Sequence, residues 1–264
     1  MRKNPNLHTS NKRAVVRDVV VEVLSFKPGF SRVYIGSMRI GKPLNGPFIS
    51  AKDRLDPKVG IMKVAFGMKA HSGWAALVVV GTRDDDFAVV DRRRIELVED
   101  EWAKQPYHAA ENMEAGAARD LVERGIETAQ RIAVRELRAA VKREQERKNE
   151  VTACAVLVGN PMPDWSIAEI LAVHFRMHKA EGFLFRDALV QATKAHGLRL
   201  VAIPEKLLTK HAGTALGSPV SRLEKKVAAL GKSVGPPWGK DQKDAALAAM
   251  IALHEGVKVD AIKF

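Results

Sequence analysis

VTACAVLVGNPMPDWSIAEILAVHFRMHKAEGFLFRDALVQATKAHGLRLVAIPEK, residues 151–206, is the stretch whose reading decides the fold. Thr152–Val158 (TACAVLV) is an apolar run of strand length, and Leu198–Ile203 (LRLVAI) is another. Between them, Ser166–His196 repeats its apolar residues at helical spacing. A strand, a helix and a strand in this order form a crossover unit whose strands are parallel neighbours. At 3.6 residues per turn, Ile170, Leu171, Val173, Met177, Leu184, Phe185 and Ala188 share one helix face, and His174, His178 and Glu181 fall in the same stripe. Arg176, Lys179, Arg186 and Asp187 point elsewhere.

Upstream, Met62–Gly67 (MKVAFG) is expected to be a strand, Met68–Ser72 a loop and Gly73–Gly81 (GWAALVVVG) a second strand. Thr82–Asp86 forms a turn, and Phe87–Val98 returns as a third strand. Short connections between these strands make an antiparallel meander. A long helix follows over Glu111–Lys148, with Ala118, Leu121, Val122, Ala129, Ile132, Ala133, Leu137, Ala140 and Val141 spaced for one buried face. Downstream, Leu207–Leu216 and Ser221–Ala229 are short helices, Gly231–Gly239 is a loop and Asp241–His254 is a closing helix. The order βββαβαβ with terminal helices predicts an α/β protein, a mixed sheet covered by helices on both faces.

Residues 1–61 lack a sustained period and are punctuated by Gly and Pro. They are expected to form a basic, irregular extension ahead of a domain spanning 62–264. A phosphate-contacting arm, a targeting segment, sequence upstream of a start at Met62 and an appendage without a role of its own are the readings open for it. The net charge of +12 is concentrated there: residues 1–60 hold 12 Lys/Arg against 4 Asp/Glu, the other 204 residues 31 against 27. Isoelectric point alone therefore does not mark the main domain as a nucleic-acid binder. No apolar run reaches the roughly 18 residues of a membrane span, so no membrane association is expected. Cys154 is the single cysteine, which excludes an internal disulfide. Its place in a central strand predicts a buried, inert thiol and a reducing, cytoplasmic setting.

This order of elements, the opening MKVAFGMKAHSGWAALV, the segment MHKAEGFLFRDAL and the closing DQKDAALAAMIAL together resemble the RNase H-like superfamily, nearest its bacterial Holliday-junction resolvase branch. The chain is also similar to a group of bacterial proteins of the same build. The resemblance implies an RNase H-like sheet, nucleic acid as partner and divalent metal, magnesium or manganese, with zinc a weaker fit. Its carboxylate ligands would lie at the end of the first strand, at the end of the fourth and on the last helix. Asp241 and Asp244 match the helix positions. The first position falls on or near Met68 and the fourth-strand position at about Gly159-Asn160, neither a carboxylate. The implied protein is thus either a divergent metal-dependent nuclease or a binding module with a degenerate metal site. Lys240 and Lys243, beside the aspartates, and the run Arg92-Arg93-Arg94 are the candidate nucleic-acid contacts.

Each motif has a plainer reading. Carboxylates in a first helical turn cap it and complement its dipole, which would account for Asp241 and Asp244. The arginine run fits a solvated strand face. His174, His178 and Glu181, at i, i+4 and i+7, form either a structural His–Glu network or a second catalytic constellation with the spacing of a transition-metal site. In the latter case the protein is a small-molecule hydrolase or transferase, and Glu205-Lys206 could join from the carboxyl edge of the sheet. A non-catalytic structural or interaction domain is the remaining reading. Gly231-Lys232-Ser233 is not a phosphate loop, because position 226 is Lys and Pro236-Pro237 follow in place of a helix.

Overall fold

A computed structural model of the chain describes residues 61–83 and 86–254. The predicted basic extension and the middle of the aspartate turn lie outside the described residues. Five strands build one sheet: β1 (Met62–His71), β2 (Trp74–Arg83), β3 (Asp86–Glu96), β4 (Asn149–Val158) and β5 (Arg199–Pro204). Their order across the sheet is β3-β2-β1-β4-β5. β2 runs antiparallel to its neighbours β1 and β3, while β1, β4 and β5 are parallel. The mixed sheet expected from the sequence, an antiparallel meander extended by parallel strands, is therefore the one observed.

Between β3 and β4 come the short α1 (Pro106–Ala109) and the 32-residue α2 (Ala115–Glu146). Glu114 caps α2 by accepting hydrogen bonds from the Gly116 and Ala117 amides. The buried residues of α2, from Ala118 through Val122, Ala129, Ala133 and Leu137 to Ala140, recur every three or four positions. They pack with the inward side of α4 (His174–Ala195) against one face of the sheet. The other face carries α7 (Lys240–Leu253), whose residues Ala245–Ala252 are all buried, with α5 (Leu208–Ala215) and α6 (Val220–Val234) packed on it. Side chains alternate along each strand, so the two faces own separate cores. Phe66, Met68 and Cys154 belong to the α2/α4 side, and Ala65, Ala153 and Ala155 to the α7 side.

Three local expectations differ from the structure, the first being the loop expected at Gly231–Gly239, which is helix as far as Val234. The helix predicted over Ser166–His196 is two helices, α3 (Ile167–Leu171), with a Ser166/Glu169 capping box, and α4. Val173 between them is extended, a conformation that β-branched residues favour. The loop expected at Met68–Ser72 is strand as far as His71, which pairs with Trp74 across a two-residue turn at Ser72-Gly73. Gly73 has φ of 81°, a left-handed conformation that a side chain would oppose. Among the described residues no helix is long and apolar enough to cross a membrane. Cys154 is buried, and burial pushes its thiol up to about 12.

Candidate functional sites: a lysine among carboxylates and a histidine cluster

The parallel register of β1, β4 and β5 sets Lys69 opposite Leu157 and ends β5 at Pro204, so Glu205 emerges beside Lys69 at the carboxyl edge of the sheet. α7 reaches the same place because Gly67 lets it approach. A Cβ on Gly67 would stand 1.8 Å from the Ala245 carbonyl oxygen and 2.8 Å from the Ala249 nitrogen. Two residues further along β1, on the same face, Lys69 meets the first turns of α7. Its Nζ lies 2.7 Å from Asp244 Oδ2, 3.0 Å from Glu205 Oε1 and 3.3 Å from Asp241 Oδ1. Burial alone would lower the Lys69 pKa, but the hydrogen bonds and charges of Asp244 and Glu205 outweigh it and hold the ammonium above its ordinary range. Lys69 is therefore a fixed positive charge at neutral pH.

The surrounding groups extend this ion-pair network. Lys240 also bonds Asp244 Oδ2, and Arg186 Nη2 reaches Glu205 Oε2 at 3.0 Å. His71, stacked on Trp74, brings Nε2 within 3.2 Å of Asp241 Oδ1 but out of line for a hydrogen bond. Beside the network opens a cleft of about 490 Å3 lined by Gly159, Asn160, Arg186, Glu205, Lys206 and Lys240, among others. Asp241 and Asp244 both face the Lys69 ammonium, and Lys69 is the residue after Met68 on β1. Met68 is fully buried and faces the α2/α4 core, whereas Lys69 faces α7. A shift of one residue along a strand reverses the face.

The same geometry tests the two divalent cations that the resemblance implies. Unit charges 4 Å apart at an effective dielectric of 20 interact by about 4 kcal/mol, so a divalent ion beside the Lys69 ammonium meets a repulsion of about 8 kcal/mol, which offsets the attraction of about one of the three carboxylates. Its three carboxylates are already bonded to that ammonium, with no further carboxylate supplied by β1 or by Gly159-Asn160. A pair of magnesium or manganese ions does not fit these residues.

The arginine run disperses. The Arg92 guanidinium donates to the carbonyls of Val234, Pro236 and Pro237, holding the end of α6 and the following loop against β3. Arg93 pairs with Asp91, and Arg94 pairs with Glu96 and lies over the Trp74 ring. Lys240 borders the cleft, and Lys243 is exposed on the same helix.

His174, His178 and Glu181 lie along one ridge of α4 as expected, but burial changes along it. The histidines are exposed and Glu181 is only 4% exposed. Glu181 turns to α1, accepting from the His108 backbone N–H at 3.1 Å and contacting His108 Nδ1 at 2.7 Å. Burial, helped by the Glu181 charge, pushes the neighbouring Tyr107 hydroxyl up to about 12. One nitrogen from each of His108, His174 and His178 falls within 4.8 Å of the others. The two sequence constellations therefore do not merge, and Glu205 joins Lys69, not the histidines. His108 escaped the sequence reading because it sits 66 residues before His174 on a single-turn helix. Lys69 escaped it because the strand was ended too early, although Ser72-Gly73 is a turn signal that would have kept Lys69 in β1.

No family model matches the chain, and no curated protein matches it. Among solved structures, it is similar to Thermus thermophilus RuvC, at 13% identity over 71% of this chain and 92% of that one, with a TM-score of 0.40. The same protein in complex with a Holliday junction substrate gives 12% identity, 72% and 91% coverage and a TM-score of 0.39. An Aquifex aeolicus member of the Ppx/GppA family is 12% identical over 58% of this chain and 38% of its own length, with a TM-score of 0.30.

Proposed function

We propose that the protein is a non-cleaving module that binds nucleic acid through its phosphates, with the Lys69 ammonium standing where a divalent-metal pair would otherwise serve the carboxylates. The observation that carries this reading is the Lys69 Nζ, within 2.7–3.3 Å of Asp244, Glu205 and Asp241. With Lys240 on Asp244 and Arg186 on Glu205, it balances the three carboxylates without a metal. The adjoining cleft adds Arg186, Lys206 and Lys240 around an opening that admits a phosphate, with the Asn160 side chain as a neutral partner. Contacts of this kind fix a phosphate backbone and carry no sequence information.

The test is binding and cleavage measured together. The full chain should bind branched and single-stranded DNA and RNA with little sequence preference. Three or four phosphate contacts predict a slope of log affinity against log salt of about −3. Lys206→Ala combined with Lys243→Ala should weaken binding about tenfold without lowering the thermal midpoint. Cleavage with magnesium or manganese should be absent. The midpoint of the wild type should not move with millimolar magnesium, whereas Lys69→Asp should be raised by it. Metal-dependent cleavage lost in Asp244→Asn would defeat the proposal, and so would failure to bind any nucleic acid at low salt; the latter result would favour a structural or interaction domain.

A further inference from the structure

On the opposite face of the sheet, and independently of the Lys69 cluster, we propose that His108, His174 and His178 form a three-histidine site for a divalent transition metal, zinc or a close neighbour. Glu181 orients His108 in this site, and one coordination position is left to solvent. The distance between the two exposed histidines suits one ion, and the third nitrogen lies within 4.8 Å of both, so His108 must close in slightly on binding. His174 Nε2 and His178 Nε2 are 3.1 Å apart, while two nitrogens each 2.0–2.1 Å from a tetrahedral zinc stand about 3.3 Å apart. The third imidazole closes the set, with the His108 ring centroid 4.5 Å from that of His178 and 5.1 Å from that of His174.

The hydrogen bonding around His108 points the same way. Its Nδ1 is held by Glu181 at 2.7 Å, which leaves the lone pair on Nε2, and Nε2 is buried with no partner. A carboxylate on the outer nitrogen of a histidine, with the inner nitrogen free, is the arrangement that orients metal-ligating imidazoles and raises their basicity. His174 has a looser version, its Nδ1 lying 3.8 Å from Glu111 Oε1. A purely structural His–Glu contact explains Glu181 and Nδ1 but gives no reason for the unpartnered Nε2, nor for two exposed imidazoles held edge to face beside it. Neutral nitrogen donors select zinc, nickel, copper or cobalt over magnesium, which takes oxygen. Three protein ligands with a fourth position open is also the form of a zinc ion that binds water or a small ligand. A cleft of about 550 Å3, lined in part by Ala110, Glu111, Asn112, Met113 and Arg119, shares Glu111 with the surroundings of His174, although no histidine of the cluster lines it.

The experiment uses the full chain, stripped by a chelator and titrated calorimetrically with zinc, with cobalt absorption reporting nitrogen coordination. One zinc per chain is expected, and magnesium should give no binding at this site. His178→Ala and His174→Ala, both at exposed positions, should lower zinc affinity at least about tenfold while melting like the wild type. Glu181→Gln should lower it about 10–100-fold, and His211→Ala, on α5, should leave it unchanged. The proposal is overturned if zinc does not bind, if His178→Ala binds it as the wild type does, or if His211→Ala weakens it equally. Unaltered affinity in a folded Glu181→Gln chain would remove Glu181 from the site. If that variant or His108→Ala fails to fold, the exposed pair His174 and His178 still decides the outcome.

Discussion

At Lys69, a β1 position facing the first turns of α7, an ammonium sits against Asp244, Glu205 and Asp241 with a side-chain exposure of 7%. Removing one partner of a buried ion pair is more costly than replacing the whole set, because the remaining charges stay desolvated and unbalanced. Lys69→Met leaves three carboxylates facing one another, and since these are themselves partly exposed, a loss of about 2–3 kcal/mol is expected. The pH dependence follows from the direction of the shift. The folded Lys69 pKa lies above its ordinary value of 10.5, so the stability it contributes is fully present below about 10.5 and is lost as pH rises through the folded value. The difference in stability between wild type and Lys69→Met, measured by urea unfolding, should therefore be constant at neutral and mildly alkaline pH and shrink above about pH 10.5. A difference that vanished by pH 8 would mean that Lys69 is not held as a charged group.

Among the elements, β1 and α7 are the pair that assembles the cluster, and Gly67 is where they touch. Its Cβ direction meets helix backbone, not the end of a flexible side chain, so the helix must shift if the position is filled. Gly67→Ala should cost about 3 kcal/mol or more and lower the melting midpoint by about 6–12 °C for a domain of this size. Gly182→Ala, on the exposed side of α4 with only the tip of Arg186 at 4.0 Å, should instead stabilise slightly, by about 0.5–1 kcal/mol. Circular dichroism melts of the two variants give the contrast. The same pair of elements shows how far the sequence could be read. Strand and helix order was legible because the apolar runs of β2, β4, β5 and α7 and the periodicity of α2 report burial directly. Asp241 and Asp244 were legible because they lie one turn apart on a single helix. Lys69 depended on strand phase, where ending β1 at Gly67 turned attention to Met68 on the wrong face. His108 depended on a tertiary contact between α1 and α4 that no local pattern encodes, and Glu181 became an orienting carboxylate only once that contact was visible.

At the scale of the whole molecule, the strands, helices and both hydrophobic cores of the described residues lie between Met62 and Leu253. The excess of positive charge lies elsewhere, with +8 of the net +12 in residues 1–60 and +4 in the rest. Folding stability and attraction for polyanions should then separate along the chain, because burial governs the first and net charge the second. A chain beginning at Met62 is expected to melt within a few degrees of the full chain, since a change of 1 kcal/mol corresponds to about 2–4 °C at this size. Its affinity for nucleic acid should fall, and the salt slope should become shallower by about 0.9 for each phosphate that is no longer neutralised. Melting curves and salt-dependent anisotropy titrations of the two chains check both halves at once. A midpoint lowered by ten degrees or more would make residues 1–61 part of the folded core. An unchanged affinity and slope would confine phosphate binding to the cleft between Arg186, Lys206 and Lys240.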